Sequence, residues 1–116
     1  MMRSFCRAKI SHARVTGRRI DYEGSCGIDK AVLDAAGIAP FEWILVVNTT
    51  NANRFETYAI AEPAGSGRIA LYGGAAKLAK KGDELIILCL GWLDEGEIAS
   101  FRGPAVIRLK PGNKLP

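Results

Sequence analysis

Apolar and polar residues alternate with period two through several short stretches of this chain, each ended by Gly, Pro, Asn or Asp. Phe5 to Ile10, Arg14 to Ile20, Trp43 to Thr49, Arg54 to Ile60, Arg68 to Tyr72, Glu84 to Leu90 and Ala105 to Leu109 therefore read as strands. Seven short strands in one small chain predict a mainly β barrel or sandwich. Between them Asp29 can cap a helix through Lys30, Ala31, Val32, Leu33, Asp34 and Ala35, with Gly37 as its stop. A second short helix is expected from Ala75 to Lys81, ended by Gly82. Asn51-Ala52-Asn53 and Glu62 to Gly67 read as connecting turns, and the tail after Leu109 as frayed.

Composition narrows this to one compact domain spanning 1–116, because 116 residues that are 48% hydrophobic fill a single core. The run Leu85-Ile86-Ile87-Leu88-Cys89-Leu90 is far short of a membrane span, and the start lacks an apolar leader, so a soluble, cytoplasmic protein with no membrane partner is expected. Cys6, Cys26 and Cys89 form no C-x-x-C pair and read as reduced, buried thiols. The formal charge of +4 is scattered, without the stripe of Lys and Arg among exposed aromatics that nucleic-acid binding uses. It does suit a site for a small dianion. His12 is the only histidine, which excludes multi-histidine metal sites, and no metal is expected.

The chemistry concentrates in two places. In Asp21-Tyr22-Glu23-Gly24-Ser25-Cys26-Gly27 a hydroxyl follows a residue without a side chain. Ser25 can attack the Gly24 carbonyl through a five-membered ring, and Gly24 permits the close approach that a Cβ would block. A Gly-Ser dipeptide is equally an ordinary turn. Nothing in the spacing lowers the Cys26 thiol pKa, so it reads as a small core residue rather than the nucleophile. The second place is Arg54-Phe55-Glu56-Thr57-Tyr58, where alternation puts Arg54, Glu56 and Tyr58 on one face and Phe55 and Thr57 on the other. Arg54 could hold a carboxylate there while Tyr58 reaches a nearby carbon. A half-buried edge strand gives the same pattern.

Taken together, Tyr22 to Asp29, Leu33 to Ile38, Asn48 to Asn51, Arg54 to Ile60, Gly73 to Ala76 and Gly82-Asp83 resemble, in order and spacing, the pyruvoyl-dependent aspartate 1-decarboxylase family. The resemblance implies a six- to seven-stranded double-psi β-barrel with short helices, assembled as a homotetramer with sites between subunits. It implies self-cleavage between Gly24 and Ser25 into chains 1–24 and 25–116, with Ser25 becoming a covalent pyruvoyl group that takes up the substrate amine as a Schiff base. Whether that cleavage is spontaneous or assisted by a helper protein stays open. L-aspartate would lose CO2 to give β-alanine for pantothenate biosynthesis. Lys9 and Arg54 would bind its two carboxylates, Tyr58 would donate a proton, Thr57 would support self-cleavage and contact substrate, and Gly73, Gly74 and Ala75 would supply a substrate-binding backbone turn.

Two positions depart from the family's pattern. Ser11 stands where a histidine is common, and on an alternating strand His12 would face the other way. Tyr72 replaces a usual asparagine just before Gly73. Its hydroxyl lies further out than an amide, so either the ring points away or the pocket is reshaped, and slow self-processing is expected. Two other readings share these residues: an uncleaved, inactive relative acting as a binding or assembly subunit, and a small basic barrel that binds nucleic acid.

Overall fold

A computed structural model describes residues 1–116, with eight strands in one sheet. In chain order the elements are β1 (Arg3–Arg14), β2 (Gly17–Arg19), β3 (Ser25–Asp29), α1 (Lys30–Ala36), β4 (Trp43–Asn48), β5 (Arg54–Glu62), β6 (Ile69–Tyr72), a 3₁₀ turn (Gly73–Lys77), β7 (Glu84–Leu93), α2 (Glu95–Ser100) and β8 (Ala105–Arg108). The order across the sheet is β2-β6-β3-β5-β4-β7-β1-β8. The β3–β5, β1–β8 and β2–β6 pairs are parallel and the others antiparallel, as a mixed barrel of the double-psi type requires. No helix is long and apolar enough to cross a membrane.

Alternation builds the core directly. In β4, Ile44, Val46 and Asn48 turn inward, and in β7, Leu85, Ile87 and Cys89 do the same. All but Asn48 join Ile10, Ile28, Leu33, Ile69 and Leu71 in a cluster of 21 buried hydrophobic residues. The expected first helix forms: the Asp29 carboxylate accepts from Ala31 N at 2.8 Å, and Gly37 closes it at φ 70°.

Several expectations needed correction. The strand count is eight, not six or seven, because Ser25–Asp29 is a further strand; the expected Arg14 to Ile20 strand shortens to β2, with Arg14 ending β1. The second helix is only a 3₁₀ turn over Gly73–Lys77. The polar run Asp94 to Glu97 starts α2 through a capping box, with Asp94 and Glu97 satisfying each other's backbone N–H groups. The tail is not frayed. Asn113, 2% exposed, exchanges hydrogen bonds with the Arg14 backbone at 2.8 and 2.9 Å and donates to Gly67 O at 2.8 Å. Of the cysteines, Cys26 and Cys89 are buried and Cys6 is partly exposed.

The β1 pattern also breaks. A register shift between Ile10 and Ala13, with His12 at φ 60°, turns Ser11 inward and leaves His12 exposed. His12 and Lys9 thus both face outward, a phase that strict alternation would not give.

Candidate active site around the Gly24–Ser25 peptide

The scissile candidate lies at the step from solvent into the barrel: Gly24 is exposed and Ser25, only 3% exposed, opens β3. β3 is held on both sides, by β5 in parallel and by β6 in antiparallel register, so the position of Ser25 is fixed by two neighbours. Ser25 is directly opposite Tyr72. The next residue, Gly73, has φ 73°, and a Cβ there would lie 2.7 Å from Gly24 Cα and 2.8 Å from both Gly24 N and Tyr22 O. The glycine turn therefore packs backbone on backbone against the peptide that Ser25 would attack. A side chain at 73 would collide with the Gly24 backbone, so this close approach requires a glycine.

Register brings the second group in. Cys26 pairs with Ala59, so one step back along the two parallel strands come Ser25 and Tyr58, at the edge of the ladder. Neighbouring strands lie about 4.8 Å apart, which makes Tyr58 and Ser25 close neighbours on the outer face. Thr57, 8% exposed, turns to the inner face beside Ile44. Arg54 shares the outer face with Tyr58, four residues or about 13 Å earlier along β5, so its side chain must reach back. It has no carboxylate partner in this chain, and neither has Lys9.

Lys9 is the residue the fold does not bring in. It faces outward from β1, and β5, β4 and β7 stand between β1 and β3 in the sheet. Gly73, Gly74 and Ala75 are adjacent to the junction as the first turn after β6, with Gly74 exposed. The surface cavities lie elsewhere. The largest, about 400 Å³, is lined by Trp43, Leu45, Glu56, Leu88, Leu90 and Trp92, and none of the four includes Ser25, Tyr58 or Arg54. A single chain thus presents the junction on a surface rather than in an enclosed pocket.

Sequence reading missed the residues around Tyr72. The Tyr72 hydroxyl donates to Glu62 Oε2 at 2.6 Å, and Arg68 Nε pairs with Glu62 Oε1 at 3.1 Å. The Tyr72 ring meets that of Tyr22 with centroids 5.2 Å apart, and the Arg19 guanidinium lies 5.2 Å over Tyr22. Tyr22, two positions before Gly24, was the one visible signal. Near Tyr58, the Phe41 ring is 6.3 Å away. Burial first and the Glu62 charge second push the Cys26 thiol up to about 12, which disfavours the thiolate a cysteine nucleophile needs.

The fold and the junction define a small mixed β-barrel organised around one buried serine behind an exposed glycine. The family model described as aspartate decarboxylase matches residues 1–116, and the chain belongs to that family. It is 47% identical over 115 residues to the aspartate 1-decarboxylase of Ralstonia pickettii (strain 12J), covering 99% of this chain and 95% of the relative. The aspartate 1-decarboxylases of Methylibium petroleiphilum (strain ATCC BAA-1232 / LMG 22953 / PM1) and Phenylobacterium zucineum (strain HLK1) are 46% and 43% identical over 115 residues, covering 99% of this chain and 95% and 97% of those relatives.

Proposed function

We propose that this protein converts L-aspartate to β-alanine and CO2, for pantothenate biosynthesis, with a pyruvoyl group made from its own Ser25. The observation that carries the reading is the Gly24–Ser25 peptide held against Gly73 beside Tyr58, in a chain of the aspartate decarboxylase family. Self-processing starts when Ser25 Oγ adds to the Gly24 carbonyl, moving the acyl group from nitrogen to oxygen. Loss of the Ser25 Cα proton and of the Cβ–O bond then releases Gly24 as a carboxylate and leaves an enamine. Water hydrolyses that group to the ketone and ammonia departs. The Thr57 hydroxyl, on the strand paired with β3, would support the charge that develops on the attacked carbonyl oxygen.

Once formed, the ketone supplies an electron sink for the pair left behind by CO2. The chain's own residues bind and protonate. Arg54, without a carboxylate partner of its own, forks onto one substrate carboxylate. Tyr58, on the outer face level with Ser25, delivers a proton from Oη to the carbon that loses CO2. Gly73, Gly74 and Ala75 offer backbone groups at the same edge.

Lys9 completes the pair of cations only if a second copy of the chain brings it. The three strands between β1 and β3 within one chain support sites between subunits, as in the homotetramer that the resemblance implies. Purified protein is expected to make β-alanine from L-aspartate without added coenzyme, and Ser25→Ala is expected to make none. Product from Ser25→Ala, or its absence from fully cleaved wild-type protein, would contradict the reading.

A further inference from the structure

The segment entering the junction is weakly tied to the barrel. Ile20, Asp21, Tyr22, Glu23 and Gly24 are all exposed and lie between β2 and β3, and no backbone hydrogen bond outside the regular elements involves them. Apart from the fit of Gly73 against Gly24 and Tyr22 O, and a 4.0 Å ion pair of Asp21 with Arg19, the segment meets the barrel through Tyr22, whose ring lies 5.2 Å from both the Arg19 guanidinium and the Tyr72 ring. Tyr72 is itself fixed at both ends. Its backbone pairs with Ser25, and its hydroxyl donates to a Glu62 carboxylate already held by Arg68.

That carboxylate lies flat over β3 because Gly27 is a glycine; a Cβ there would fall 2.0 Å from Glu62 Oε2. Burial first, and the hydrogen bond to Glu62 second, hold the Tyr72 phenol above its usual range, so it remains a donor. Glu62, Tyr72 and Tyr22 thus form a continuous side-chain brace from the middle of β3 to the residue two positions before the scissile carbonyl. The ring points neither into solvent nor into an emptied pocket.

We propose that Tyr72 is a positioning residue for self-cleavage: anchored by Glu62 and Arg68, it docks the Tyr22 ring and so presents the Gly24 carbonyl to the Ser25 hydroxyl. From the sequence alone Tyr72 reads as a handicap that asparagine would relieve. The brace reverses that sign, because asparagine at 72 reaches neither the Tyr22 ring nor Glu62. The inference rests on the processing reading above.

The test is the rate at which freshly purified chain splits, followed by intact mass under denaturing conditions. Tyr22 is 53% exposed, so its replacement leaves the core untouched. Tyr22→Leu is expected to slow cleavage roughly two- to tenfold, the range an aromatic pair supports. Tyr22→Phe keeps the ring and is expected to restore the wild-type rate. Tyr72→Asn should also slow cleavage, and Tyr22→Leu should add little in the Tyr72→Asn background, since both break one brace.

Melting of the same substitutions in a Ser25→Ala background separates positioning from folding. Unchanged melting for Tyr22→Leu supports positioning, and a drop large enough to explain the rate overturns it. Wild-type cleavage by Tyr22→Leu, or faster cleavage by Tyr72→Asn, also overturns the inference and leaves the processing reading intact. A wild-type chain that never splits ends both.

Discussion

Ser25 offers the attacking oxygen at the junction while filling little volume, so its removal separates chemistry from folding. Ser25→Ala is expected to fold, remain one chain and lose decarboxylation, which denaturing electrophoresis and a β-alanine assay together check. Cys26 is a poorer nucleophile, being wholly buried with its thiol pushed up to about 12. Tyr58→Phe removes only a proton donor: cleavage is expected to proceed while turnover falls about 10²- to 10⁴-fold, read from single-turnover rates on fully cleaved protein. The division of Tyr58 from Thr57 onto opposite faces was legible from alternation. The partners of Tyr72 were not. Glu62, Arg68 and Tyr22 meet it only through strand pairing and side-chain direction, neither of which a single sequence displays.

At the scale of elements, β3 carries the site and was the element hardest to see. Gly24, Ser25 and Gly27 have turn composition, and the strand exists because β5 and β6 hold it on both sides; pairing overrides local preference. Its far end is pinned by Asp29, whose carboxylate accepts from Ala31, Gly65 and Gly67 N at 2.8 to 2.9 Å. Burial acts to raise the Asp29 pKa, but these backbone donors outweigh it and the net shift is downward from 3.8. A depressed carboxylate contributes stability that is present above its unfolded value and is lost as pH falls through the lower folded one. Asp29→Asn is therefore expected to cost about 2 kcal/mol at neutral pH and to reduce the loss of stability below about pH 4, measured by urea unfolding. The turn after β6 makes a second prediction. Gly73→Ala must place a Cβ against Gly24 at φ 73°, costing about 1–2 kcal/mol in backbone strain and displacing the junction. Intact mass should show cleavage slowed far more than the melting temperature falls.

At the scale of the molecule, the outer surface from β4 to the β8 end of the sheet is unusually apolar: Trp43, Leu90, Trp92 and Val106 are each more than half exposed, on β4, β7 and β8. Lys9 faces outward from β1, between β7 and β8 in the sheet. The chain's composition disclosed the apolar residues and the cations, but not that one sheet would set them on a common outer face. An exposed apolar patch of this kind suits contact with a second copy of the chain. Trp92→Glu is then expected to yield a smaller species by native mass and to lose decarboxylation with it. Everything beyond the fold rests on one bond. Denatured intact mass of the purified chain is expected to show two fragments, 1–24 ending in a carboxylate and 25–116 starting with a ketone, their masses summing to the chain plus water minus ammonia. A single full-length species in protein that makes β-alanine from aspartate, or cleavage at any other peptide bond, would contradict it.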